Sequence, residues 1–364
     1  MNEIKEKEAR IHDFLSNRGL DAILLSSQAN FAWATGGKQN YVGIASEMGV
    51  ASLLITLKSK YVITNTIEKH RIMDEELKEM GYELIDFEWF DDVQKVKIIT
   101  DFSQTMKIGS DDGFAGTANV AGEIAKLRYS LTEEEISKYH WLGQKSGEAV
   151  AEVCRTIRIG DSEHRIAAHL SSLLICQGIM PIVRLVAVDD RVFKYRHPIP
   201  TDKKIEKYAM VVLGARKYGL IASVSRLVHF GKLPAELRKK HDAVIKVDAA
   251  FISSSKPGES CGNIFNTAQQ SYADVGYPNE WKHHHQGGPT GYTPRDYRAI
   301  PGGTEKLVVD QAIAWNPSIA GTKSEDTVII SEDDTKIITE SPDWPLLSVE
   351  HGGKTWRRPD ILCI

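Results

Sequence analysis

The sequence predicts a chain of two domains, the first of them α/β. Three observations carry this. At 364 residues, 42% of them hydrophobic and 26% charged, the chain is long enough to bury two cores. Helical and strand periodicities alternate through residues 1–125, the pattern of an α/β layer structure. A fresh long helix then opens at Ser130-Leu131-Thr132-Glu133-Glu134-Glu135, where Thr132 and Glu135 have the spacing of a capping box, so a second domain is expected over residues 130–364.

Taken in order, residues 4–18 place Ile4, Ala9, Ile11, Phe14 and Leu15 at helical spacing, and Gly19 ends the helix. The run Asp21–Leu25 reads as a buried strand, and Asn30–Trp33 leads into a turn at Gly36-Gly37. Val50–Ile55 and Tyr61–Thr64 read as strands about a Lys58-Ser59-Lys60 turn. A helix is expected over Ile67–Met80, then strands over Glu83–Phe90 and Lys107–Ser110. This part shows no Gly-rich phosphate loop and no paired catalytic groups, so a structural or dimerising role is expected for it. Beyond it, helices are expected from Thr132 to Ile157 and over 164–177, with strands over Val183–Val188 and Tyr208–Leu213. Between those strands His197 stands in a proline-flanked loop, Arg196-His197-Pro198.

Composition bounds the function. A net charge of −4 and a pI near 6.3 give no basic footprint for nucleic acid. No apolar run reaches the length of a membrane span, and the charged opening MNEIKEKEARIHDF lacks a signal-peptide core. Cys154, Cys176, Cys261 and Cys363 are scattered without CxxC spacing and read as reduced thiols of a cytoplasmic protein.

The stretch richest in chemistry is Trp281–Tyr297, WKHHHQGGPTGYTPRDY. Its glycines and prolines exclude a helix and let backbone approach a ligand. His283, His284, His285, Gln286 and Arg295 supply groups that bind ligands and move protons.

In these segments and their order the chain resembles the pita-bread superfamily of creatinase, prolidase, aminopeptidase P and methionine aminopeptidase. RGLDAILLSSQANFAWATGG resembles the opening of its N-terminal domain, and SLTEEEI and IRIGDSEHRIA its two leading helices. HPIPTDKKIEKYAMVVLGARKYGLIASVSRLVHFG and SEDTVII resemble segments that normally carry metal ligands. The resemblance implies a fold that is α/β plus α+β: a creatinase-like N-terminal domain over residues 1–125, then a pita-bread domain over residues 130–364. Members with this N-terminal domain often pair, so a homodimer is expected.

The family bridges two metal ions with two Asp, one His and two Glu. On this chain those positions fall at Val212, Ser223, Gly288, Asn316 and Glu325, so only Glu325 keeps a ligand of the family's kind. His197 and His284 match the family's substrate-side histidines, and Arg295 stands where many members keep another His. Creatinase is itself a metal-free member. The expectation is therefore a hydrolase cleaving a C–N bond in a small amino-acid-like or peptide substrate, with no metal. His197 and Glu325 would be the catalytic pair, and His284, His285, Gln286, Arg295, Asn316 and Ser223 would bind substrate. Two alternatives stand beside it. One is a divalent-metal (Mn, Zn or Co) Xaa-Pro peptidase with ligands rearranged onto His283–His285 and Glu325. Against it, neighbouring residues on an extended strand point to opposite faces, so three consecutive histidines rarely share one ion. The other is a pita-bread protein that binds peptides or small molecules without catalysis.

Overall fold

The structure, a computed structural model, describes residues 2–364 and divides into two compact units. One runs to Glu135 and includes Tyr218–Leu220; the other comprises Ile136–Lys217 and Ile221–Ile364.

In the first unit, helix α1 (Glu3–Arg18) starts with the Asn2 side chain accepting from Ile4 N and stops at Gly19, which takes the left-handed conformation at φ 62°. Its stripe of Ile11, Phe14 and Leu15 is buried. Lys7 on the same helix is buried too, held by Glu3 at 2.6 Å and Glu135 at 2.7 Å. There follow β1 (Ala22–Ser27), α2 (Gln28–Ala34), β2 (Met48–Thr56), β3 (Lys60–Asn65), α3 (Lys69–Arg71), β4 (Glu83–Phe87), α4 (Asp92–Thr105), β5 (Ile108–Ser110), β6 (Ala118–Asn119) and α5 (Ala121–Leu127). The strands form one mixed sheet in the order β4-β3-β2-β1-β5-β6.

Two elements are shorter than the sequence suggests. The helix expected over 67–80 is only α3 and a π turn, Ile72–Glu76, because the Asn65 side chain accepts from the backbone of Ile67 and Glu68 and delays its start. The strand expected to Phe90 ends at Phe87, where the chain turns so that Asp91 can cap α4 through Gln94 N; Trp89 and Phe90 are exposed.

Helix α6 (Glu133–Thr156), which passes from the first unit into the second at Glu135, opens on the expected reciprocal box: Thr132 N donates to Glu135 Oε2 at 2.8 Å and Glu135 N to Thr132 Oγ1 at 3.3 Å. Then come α7 (Glu163–Ile175), β7 (Met180–Val188), α8 (Asp190–Lys194), β8 (Tyr208–Lys217), β9 (Leu220–His229), α9 (Ala235–Ser254), α10 (Cys261–Asp274) and β10 (Gly287–Thr290). After these the chain is mostly strand: β11 (Gln311–Trp315), β12 (Ser318–Ile319), β13 (Thr322–Lys323), β14 (Asp326–Ile330), β15 (Thr335–Ile337), β16 (Leu346–His351), β17 (Lys354–Pro359) and β18 (Leu362–Cys363).

Two four-stranded sheets, β18-β9-β8-β7 and β10-β11-β14-β15, meet where Ser225 bridges Glu325 and the Thr327 hydroxyl bonds both backbone groups of Ser223. Helices α9 and α10 back the second sheet, with Phe251 stacked on Trp315 at 4.5 Å in a core that includes Ile313, Val328 and Ile330. A buried ion cluster pins β14 behind the sheet. Asp326 pairs with Arg226 at 2.9 Å and with Arg358 at 2.7 Å, and Arg358 also pairs with Asp248 of α9 at 2.6 Å.

Candidate active site

A cavity of about 390 Å³ opens within the second unit. Strands β7, β8 and β9 supply Val183, Leu185, Val212 and Ser223, the segment after β10 supplies Pro294, Arg295, Tyr297 and Arg298, and His197, His285, Asn316, Lys323 and Glu325 complete the wall. The structure thus brings together six of the eight expected site residues: His197, Ser223, His285, Arg295, Asn316 and Glu325.

The other two sit behind the wall. His284 is buried, with Nε2 3.1 Å from His197 Nε2 and Nδ1 3.2 Å from Ser318 Oγ. Gln286 does not line the cavity. It is fully buried, and its amide accepts from the Tyr272 hydroxyl at 2.8 Å and donates to the His284 carbonyl, fixing the backbone under the histidines.

The tandem histidines divide. His283 is exposed in a 3-10 turn (Glu280–His283), whereas His284 and His285 both approach His197, with ring centroids 4.9 and 5.5 Å from it. One nitrogen from each of His197, His284 and His285 lies within 4.8 Å of the others. The loop carrying His197 is tied to the turn by Arg196, 2.6 Å from Glu280. All three imidazoles are pushed below the usual histidine range, first by burial and then by nearby cations: Lys323 for His197 and His284, and Arg295 for His285, which falls to about 4. The shifts favour the neutral form, and in a neutral pair one of the two Nε2 atoms facing each other donates to the other.

Glu325 and His197, the expected catalytic pair, are not hydrogen-bonded to each other. The Glu325 oxygens face Lys323 Nζ at 2.7 Å, the Ser225 hydroxyl, and Arg295 Nη2 at 3.8 Å. Burial pushes the Glu325 carboxyl up, and Lys323 and Arg295 more than reverse this, holding it below its ordinary value. His197 is positioned instead by His284 and Ser318. Lys323 is the wall residue that the sequence reading passes over. The signal is its spacing: two residues before Glu325 on an extended chain, it shares that residue's face.

The family's two-metal centre does not fit these residues. Val212 is buried in an apolar cluster with Leu185, Met210 and Leu227. At Gly288 a Cβ would meet the Tyr297 carbonyl oxygen at 2.6 Å, and φ is +144°, so no side chain of any kind has room. Ser223 and Asn316 are neutral, and an ammonium already occupies the surviving carboxylate.

Sheets, helices and cavity together define the two-domain pita-bread class of creatinase and prolidase. The model of metallopeptidase family M24 matches residues 139–336, more than half the chain. The chain belongs to metallopeptidase family M24. An Xaa-Pro dipeptidase of Pyrococcus horikoshii is 21% identical over 362 residues, covering 94% of this chain and 99% of that one. Among solved structures, the prolidase of Thermococcus sibiricus matches with a TM-score of 0.80 at 16% identity over 100% of both chains. The Xaa-Pro dipeptidase of Bacillus anthracis gives 0.76 at 18% identity, covering 99% of this chain and 100% of that one. Membership and relatives place the chain among peptidase-type hydrolases. Among the described residues no helix is long and apolar enough to cross a membrane.

Proposed function

We propose that the protein hydrolyses a peptide-type C–N bond in a small amino-acid-like compound or short peptide, with His197 as the proton carrier and without the family's two-metal centre. One observation carries the reading: His197, Lys323, Arg295 and Glu325 converge on one cavity whose metal-ligand positions hold Val212, Ser223, Gly288 and Asn316. Water adds to the carbonyl carbon, forming the C–O bond while His197 accepts its proton. The same proton passes to the leaving nitrogen as the C–N bond breaks. Arg295 and Lys323, in the same wall, hold the substrate beside His197. Glu325 holds those cations in place.

A second reading is favoured by the relatives named above and by the histidine cluster. In it, the ligands of a divalent metal peptidase are His197, His284 and His285 rather than the expected His283–His285 and Glu325, since His283 is exposed and Glu325 pairs with Lys323; imidazole nitrogens suit zinc. One assay separates the two. Xaa-Pro dipeptides, creatine-like and amidino compounds are screened, and turnover is followed with and without chelator. Under the first reading His197→Ala lowers turnover about 10²–10⁴-fold and chelator does nothing. Full turnover in His197→Ala ends that reading, and turnover lost only with chelator establishes the second. A homodimer and a cytoplasmic setting belong to the same proposal; a monomer by light scattering removes the first of these.

A further inference from the structure

We infer that the cavity is built to hold an anion, a small carboxylate, between Arg295 and Lys323. This deepens the proposed function and rests on the cavity being the substrate site. The charges in the wall do not balance. Among the largely buried side chains Arg295 and Lys323 face a single carboxylate, Glu325, an excess of one positive charge (two minus one), while Arg298 at the rim is exposed. Lys323 and Glu325 have side chains only 4% exposed, so bulk water does little to offset that excess.

The hydrogen bonding is incomplete in the same place. Arg295 Nη1 bonds only the carbonyl of its own neighbour Pro294, Nη2 stops 3.8 Å short of Glu325, and buried Nε has no partner. The Nε–Nη2 edge, which a carboxylate engages with two parallel bonds, therefore lacks a hydrogen-bond partner. Asn316 is 3% exposed, and its Oδ1 also lacks a partner, as does His285 Nδ1. Buried polar atoms are rarely left unpaired, and three on one cavity wall point to a ligand that completes them. Its anionic group meets Arg295 and Lys323, and an N–H on it satisfies Asn316. Charge that the family draws from metal ions is here carried by side chains.

The probes are N-acetylglycine and N-acetylglycinamide, alike in shape and N–H but differing in charge, titrated calorimetrically into the whole protein in the presence of chelator. The acid is expected to bind saturably and more weakly as salt rises, and the amide to bind at least about tenfold more weakly, the loss of a charge-assisted pair. Arg295→Gln is expected to lower acid affinity about ten- to a hundredfold. Comparing acid with amide needs no variant, so misfolding of Arg295→Gln does not spoil the test. Equal affinity for acid and amide overturns the inference, as does acid binding abolished by chelator. Inorganic phosphate binding more tightly than the acid overturns the assignment to a carboxylate. Turnover that depends on His197 but shows no acid binding sinks this inference alone. Acid binding in a protein that turns over no substrate sinks the hydrolase reading alone.

Discussion

Replacing Arg358 with Met tests how the ion cluster behind β14 holds Glu325 in position. Arg358 is 0% exposed and is shared by Asp248 and Asp326, each 3% exposed or less. Asp326 would keep Arg226 at 2.9 Å and the Thr339 hydroxyl at 2.8 Å, but Asp248 would keep only the Ser324 hydroxyl. Breaking such a buried pair from one side costs about 3–5 kcal/mol, a large share of a typical folding free energy of about 5–15 kcal/mol. The loss should depend on pH. Burial already holds Asp248 above the usual carboxylate range, with Arg358 pulling it back, so the variant raises it further. A carboxyl raised in the folded state binds protons there more readily than in the unfolded chain. Stability is then lost as pH rises from the unfolded value, about 3.9, through the folded one. Urea unfolding followed by tryptophan fluorescence at about pH 5 and about pH 8 should show the larger deficit at the higher pH. Adding Asp248→Asn to Arg358→Met should recover part of it. A loss below about 1 kcal/mol, or one equal at both pH values, refutes the reasoning.

Gly288→Ala should destabilise by about 1–3 kcal/mol, read as a lower midpoint in urea, because its Cβ would meet the Tyr297 carbonyl in a φ region that strains any L side chain. The three depressed imidazoles should make the protein lose stability as pH falls below about 6.5, since the unfolded chain takes up protons there before the folded one does. His285→Asn should flatten that acid limb in thermal melts, and an unchanged slope would count against the depression. Glu325→Gln should weaken N-acetylglycine binding and impair turnover, because the carboxylate holds Lys323 and Arg295 at the wall; tighter binding would mean that it competes with the ligand for these cations instead.

Much of this was readable wherever local chemistry matches the final environment. The α1 stripe, the Thr132–Glu135 box and the strand run from Ala22 each signal themselves within a few residues. Helix α9 does not, because Ala243, Val244, Ile245, Val247, Ala249, Phe251 and Ile252 are buried on several faces, which erases the amphipathic stripe. In the site, His197 and Glu325 are legible as side chains surviving in a recognisable order. Which groups they touch is not, since His197–His284 and Glu325–Ser225 are contacts across 87 and 100 residues. Strand alternation does not describe the histidines: His283 lies in a 3-10 turn, and His284 and His285, both before β10, approach His197 together.

An ammonium and a guanidinium attached to the chain at Lys323 and Arg295 have no empty form. Metal ions are acquired after folding, exchanged for competitors and stripped when supplies run short, so an enzyme that relies on them shares the metal economy of its surroundings. Charge installed by translation is present in every folded copy at full stoichiometry, and starvation for zinc or manganese does not dilute it. The corresponding cost is fixed geometry: a side chain cannot change its ligand number or slide towards an incoming water, so the substrate must bring its own charge to the place where Arg295 and Lys323 already stand.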